Sequence, residues 1–536
     1  NITGTAATFT GNVSIAGTIT YDDVTNVDSV GVITARSGIK VGAGESISAV
    51  SGTLTYYGDG SNLTGIEAGF ANFVASGAIS NGSTVVINTD GTVGVITQTT
   101  SAASVGTPVV ANSTNTQPSA AYDASSGKVV IAWSEWNGSA YSGKAIVGTV
   151  SGNSISFGSA ALFNSGQSSY TNVTYDSANS KVVIAYANTN QFTGTAKVGT
   201  VSGNSISFGS AVVFNNGKTT DGVMTSTTNG KVVMAYTDAD STDYGTAIVG
   251  TVSGTSISFG SEVVYNSGLT YDQTCVGCGD DKVVVAYQDQ PNSSSGRARV
   301  GTISGNSISF GTEVVFNSTS TSHFASVYDP DNDKVVIAYE DSSNSNKGTA
   351  VVGTVSGTSI SFGSEVIFDT GSASHNGATY DPDNDKIIIA YEAGGAGKVI
   401  SGTVSGSSIS FDTALQFNSS GSYYDSPVYD STNNKVVIAY KDGGNSDYGT
   451  AVVFTPLSLE TNLTSENYIG IAGEAISNAA TGKINVVGGV NSGQSGLTTA
   501  QTYYVGQTGI LTTTADTPSV VAGTSISDTK ILVWRS

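Results

Sequence analysis

The chain has 536 residues, of which only 11% are charged, and a formal net charge of −21 at pH 7. That length calls for several folding units, and the acid excess excludes a nucleic-acid partner, whose phosphates demand clustered Lys and Arg. No run reaches the roughly 18 apolar residues of a membrane helix. No stretch keeps a 3.6-residue apolar period.

Gly, Ser, Thr, Asn and Val dominate, a mixture suited to strands and tight turns, so the expectation is an all-β protein without membrane insertion. Acidity of this degree fits an extracellular life in salty water, where the Debye length falls to about 3–4 Å and self-repulsion costs little. The first residue is Asn1, preceded by no initiator Met and followed by no cleavable signal pattern, which leads to the expectation that the gene starts further upstream.

Residues 1–66 alternate short β-branched pieces with Gly and Asn and hold little bulky apolar material for a private core. Such a segment buries its edges by winding with identical chains, so the expectation is a fibrous β-prism or β-helix and a homotrimer. Residues 67–104, with NFVASGAISNGSTVVINTDGTVGVITQT, read as short strands and Gly turns. They form the first part of a β domain whose second part is 457–536.

VGTPVVANS, Val105 to Ser113, is the tail of a repeat without its beginning. Its likenesses lie downstream, in FGSAVVFNN from Phe208, FGSEVVYNS from Phe259 and FGTEVVFNS from Phe310. From 118 to 456 the chain repeats seven times, marked by KVVIAW or its variants at Lys128, Lys181, Lys231, Lys282, Lys334, Lys386 and Lys435, spaced 49 to 53 residues apart. A period near 50 with four short strands (a, b, c and d) is the signature of a β-propeller blade.

Polar connections such as DPDND between a and b, and SGNS between c and d, suit hairpins. The continuous KVVIAY run fits a strand buried on both faces. The seventh copy stops at Pro456 after strand c, with no SISFGS to follow. VGTPVVANS supplies that missing strand d, which closes a seven-bladed ring over 105–456 and removes its open edges. Ring closure also places the two flanking segments side by side.

Few residues offer chemistry. Cys275 and Cys278 make a CxxC, but zinc needs about four ligands and there is no second pair, so they read as ordinary strand and turn positions. The four arginines, Arg36, Arg297, Arg299 and Arg535, make no clamp of the kind a sialidase-like propeller would want, and no catalytic residue is assigned. In the a–b turns Asp329, Asp331, Asp333 and Asp381, Asp383, Asp385 place carboxylates at alternate positions, which suits Ca²⁺. They lack the Gly and distant Glu of a complete loop, so a solvated hairpin turn competes with that reading. No other cofactor is expected.

The d–a and b–c connections share one face of a propeller and vary between copies, whereas the a–b and c–d turns repeat. Eleven residues before each marker lysine stand Gln117, Tyr170, Thr220, Tyr271, His323, His375 and Tyr424. The b–c loops add Trp136, Tyr141, Phe192, Tyr244 and Tyr448 to the same face. Aromatic rings among short polar groups suit a carbohydrate, whose apolar faces stack while its hydroxyls find partners. The alternative is that these rings plug the channel mouth.

The run TYDDVTNVDSVGVITARSGIKV, the phrase YYGDGSNLTGI and the C-terminal SGLTTAQTYYVGQTGILTTTADTPSVVAGTSISDTKILV resemble tail-fibre and related virion structural proteins of marine, cyanobacterial-type contractile-tailed phages. The resemblance implies a virion, extracellular location and attachment to a host-surface glycan or protein, in company with other virion proteins. Two other readings stay open: a purely structural or capsid-decorating virion protein, and a cellular adhesin or surface-layer-like protein at the cell surface.

Overall fold

The computed structural model describes residues 69–536, except 116, 137–140, 517, 535 and 536, together with Thr10 and Gly11. The fibrous segment and trimer expected of residues 1–66 lie outside the described residues, those two apart. The regular structure of the described chain is all strand apart from three single turns of 3-10 helix. It is a β-propeller, as its sequence indicates. No helix among the described residues is long and apolar enough to cross a membrane.

Each marker strand lies second in an antiparallel sheet. In the first sheet the order runs Ser119–Asp123 (a), Lys128–Trp136 (b), Tyr141–Ser151 (c), then a strand d broken into Ser154–Phe157 and Ala161–Asn164. The same pattern recurs around Lys181, Lys231, Lys282, Lys334, Lys386 and Lys435. Successive side chains of a strand point to opposite faces, so each b strand serves two cores at once. Val182, Ile184 and Tyr186 pack on Val130 and Ala132 of the sheet before, while Val183 and Ala185 pack on Val232 and Met234 of the sheet after.

Seven such clusters fill seven interfaces, and the seventh joins Val129, Ile131 and Trp133 of the first sheet to Val437, Ala439 and Val453 of the last. The array is therefore a circle. Its last sheet takes strand d from the segment that precedes the first repeat: Val105 pairs with Phe454, and Val109, Val110 and Asn112 pair with Ala451, Thr450 and Gly449.

One pair shows how the sequence accommodates that join. In six sheets the strand c residue facing the Phe of SISF is glycine, and at Gly148 a Cβ would meet Ile155 Cδ1 at 2.6 Å. The borrowed strand brings only Val105 to that place, and the glycine becomes Phe454, which is 1% exposed and fills the vacated volume. Gly106 keeps the repeat's other close approach: an added Cβ would lie 1.9 Å from Asn153 O, as one at Gly158 would lie 2.0 Å from Asn204 O.

The segments outside the ring pair with each other. Gln98–Ser101 runs antiparallel to Ser458–Thr461 where the chain enters and leaves. Beyond it a five-stranded sheet has the order Phe70–Val74, Thr481–Asn485, Tyr468–Ala472, Thr84–Ile87, Val93–Val95. A second sheet spans Val490–Val533, and Val86 and Ile96 share an apolar core with its Tyr503, Val505 and Ile531.

Candidate functional site at the channel mouth

In six sheets strand a carries an extra residue near its start. The register slips between Ser169 and Asn172, and likewise before Val223, Thr274, Ala325, Gly377 and Ser426. The first residue of each bulge is left-handed: Tyr170 (φ 48°), Asp221 (47°), Asp272 (42°), His323 (54°), His375 (54°) and Tyr424 (58°). Bulges re-aim side chains, and these six residues, with Gln117 of the first sheet, surround the entrance to the axial channel. A cavity of about 410 Å3 within it is lined by residues from all seven a strands, Ala120, Val173, Met224, Cys275 and Ala378 among them.

This placement corrects two of the residues counted from the lysines. The a–b turns before Lys231 and Lys282 are one residue shorter than the others, so the bulge positions there are Asp221 and Asp272, not Thr220 and Tyr271. Tyr271 stands one residue earlier, half-buried and paired with Gln288. Cys278 occupies the place that a turn aspartate holds elsewhere, and Cys275 packs in an inter-sheet core. Both thiols are buried and free.

The mouth is thus aromatic on one side and acidic on the other. The His323 and His375 rings lie 4.8 Å apart, His375 and Tyr424 5.3 Å, and Gln117 Nε2 donates to the Tyr424 hydroxyl at 2.9 Å. Burial, with His323 and Lys441 nearby, pushes His375 down to about 4. Burial beside Asp272 and Asp243 pushes the Asp221 carboxyl up to about 6. Asp425, next to Tyr424, is 5% exposed and raised well above the usual carboxylate range by burial, and its Oδ1 has no partner.

The loop aromatics differ among themselves. Trp136 and Tyr141 are about half exposed, with rings 5.0 Å apart, and Lys144 Nζ lies 2.9 Å from Glu135 in the adjoining strands. Phe192 is 62% exposed and left-handed (φ 55°). Tyr244 and Tyr448 open their c strands, pinned by ladders to Asp238 and Asp442, and are half-buried.

Between the first three sheets a cleft of about 400 Å3 opens on this face, walled by Tyr170 and Phe192 and rimmed by Gln117 and Lys218. Ser169 Oγ and Asn188 Oδ1 are buried in its lining without a hydrogen-bond partner. Neither Ser169 nor Asn188 stands out in the sequence, because an unsatisfied atom is a property of the fold.

The six turn aspartates do not converge on a cation. Asp329 accepts from the backbone of Asp331 (3.1 Å) and Asn332 (3.0 Å), and Asp381 from that of Asp383 (3.1 Å). Asp331 and Asp385 both accept from the Tyr380 hydroxyl, Asp383 from Tyr429 and Asp333 from Tyr328. Among the described residues no group of three or more His, Cys, Asp or Glu is arranged to hold a metal. Of the arginines, Arg297 bonds Asp289 at 3.0 Å and also Glu313, and Arg299 reaches the Gly311 carbonyl at 3.3 Å.

No family model and no curated protein matches the chain. Solved structures do resemble it. The BP39L lectin of Burkholderia pseudomallei is 7% identical, with a TM-score of 0.48, over 65% of this chain and 98% of the lectin. The Cps50 (Swd1) β-propeller domain of Myceliophteria thermophila is 6% identical, with a TM-score of 0.44, over 65% of this chain and 98% of that domain. Sqt1 of Chaetomium thermophilum, bound to the N-terminus of ribosomal protein L10, is 10% identical, with a TM-score of 0.43, over 63% of this chain and 85% of that one. The likeness is one of fold.

Proposed function

We propose that this chain is a non-enzymatic attachment protein, a tail-fibre component of the marine-phage type, and that the face of the propeller carrying the b–c loops binds host-surface glycans. The observation that carries the reading is the exposure of large rings on that face. Trp136, Tyr141, Tyr170, Phe192 and Tyr424 are each between 41% and 62% exposed, where aromatic residues are ordinarily packed away.

Rings of this kind stack on the apolar faces of sugars, and polar groups without partners, such as Ser169 Oγ and Asn188 Oδ1, answer hydroxyls. The full chain on a glycan array is expected to bind a restricted set of glycans, and Tyr170→Ala with Trp136→Ala to abolish that binding. An array without any signal sinks the glycan reading.

A scaffold role in the virion draws on a different observation. The His375 ring packs against both His323 and Tyr424, which supports a stopper for the channel. In either case residues 1–66 are assigned the task of joining three copies. The mass of the full chain in solution is expected at three times that of the monomer, and a strict monomer contradicts the assignment.

A further inference from the structure

The cleft between Tyr170 and Phe192 breaks the pseudo-symmetry of the ring. Phe192 is the residue just before strand c of its sheet, Thr193–Ser202. In the five other sheets whose loops are described, that place is held by Asp243, Ser294, Asn346, Gly395 and Asp447, all left-handed (φ 54° to 77°). Gly, Asn and Asp visit this conformation readily, whereas a bulky side chain there is an outlier held at a cost.

Tyr170 repeats the exception at the bulge, where four of its counterparts are His or Asp and only Tyr424 is as large an aromatic. Two strained aromatics thus face one cleft, and Phe192 is left largely in water. Neither folding nor packing accounts for that. Beneath them lie two buried polar atoms without partners, one an acceptor (Asn188 Oδ1) and one able to donate or accept (Ser169 Oγ). The cleft's volume of about 400 Å3 falls within the range of small-ligand sites.

We infer that this cleft is a single sugar-binding subsite, in which one ring of a neutral saccharide lies between Tyr170 and Phe192 with its hydroxyls on Ser169 and Asn188. The ligand is assigned as neutral because the lining carries no carboxylate and its one charged group, Lys218, has acids close by. Among the described residues Lys218 is the sole charged side chain lining the cleft, Asp240 accepts from the Lys218 backbone at 3.1 Å, and Asp221 lies close enough to Tyr170 to help raise its hydroxyl pKa. The inference rests on the glycan reading of this face and narrows it to one place and one class.

Methyl glycosides of glucose, galactose, mannose and N-acetylglucosamine, with that of sialic acid as the anionic comparison, can be titrated into the full chain by saturation-transfer NMR. At least one neutral glycoside is expected to bind, about tenfold more weakly after Phe192→Asn, with Tyr380→Phe on the a–b turn face changing binding less than twofold. Asn suits a left-handed residue, so Phe192→Asn is also expected to unfold at a temperature no lower than the parent, which separates lost binding from lost structure.

Binding that survives Phe192→Asn overturns the subsite and leaves the glycan reading standing. Preference for the sialoside overturns the neutral class. Silence to every glycoside from a chain that binds on the array overturns the subsite, and silence in both overturns the glycan reading with it.

Discussion

The two faces of the ring are built from the same seven repeats and do opposite things with their polar groups. On the a–b turn face nearly every group is answered locally. Asp430, fully buried, accepts from Thr432 N (3.0 Å), Asn433 N (3.2 Å) and Asn433 Nδ2 (2.8 Å), and Asp176 treats Asn179 in the same way.

Strand a tyrosines then tie one sheet to the turn of the sheet before. Tyr380 reaches Asp331 at 2.7 Å, Tyr429 reaches Asp383 at 2.6 Å, and Tyr122 meets Thr432 at 2.6 Å, where the first and last sheets of the ring meet. The flanking sheets stand over this side, with Leu459 and Gln507 sharing a cleft with Asp383 and Asn384. The opposite face keeps left-handed Tyr, His and Phe residues, exposed rings and buried atoms without partners. The repeat is therefore satisfied where it must build the ring and unsatisfied where the copies diverge, as expected if one face holds the fold together and the other meets a ligand.

Changes on the two faces should separate stability from binding. The largest effect expected on stability is on the turn face: Asp430→Ala strands three donors at the closing sheet and should cost about 2 kcal/mol in denaturant unfolding, with glycan binding unchanged. Equal losses of stability and binding would erase the distinction.

At the mouth, Asp221→Asn should act with the opposite sign. The folded pKa of about 6 lies above the usual 3.8, so Asp221 contributes stability that is complete below about pH 4 and is lost as pH rises through 6. Asn removes that loss and should raise stability by about 1–2 kcal/mol at pH 8, with the two unfolding curves meeting near pH 4. His375 runs the other way, since its depressed pKa makes its contribution complete above about 6.5 and lost as pH falls towards 4. A destabilised Asp221→Asn at pH 8 would mean that the mouth is built for stability, like the turns.

Much of this was legible in the chain itself. The recurring KVVIAY runs announce doubly buried strands, and VGTPVVANS, orphaned at one end, matches the strand absent at the other. What the sequence hides is conformational. A fixed count from the lysines lands one residue short of the bulge where two turns are shorter, since Thr227 and Cys278 take the place of a turn aspartate one residue nearer the lysine, so it reaches Thr220 and Tyr271 in place of Asp221 and Asp272.

Phe192 was visible as an aromatic residue. Its backbone was not, although its sister loops offer Asp, Asn, Ser and Gly at that place, a pattern that marks a left-handed residue once the loops are aligned. Asp425 and the unpartnered atoms of Ser169 and Asn188 belong to three-dimensional packing, and no local pattern encodes them.

The division between the faces is tested most directly by adsorption of the full chain to host cells, with Tyr170→Ala/Phe192→Asn on one face compared with Tyr380→Phe/Tyr429→Phe on the other. The account predicts that the first pair loses at least tenfold in adsorption while the second adsorbs like the parent. Adsorption that persists in the first pair and falls in the second would place attachment on the turn face and contradict it.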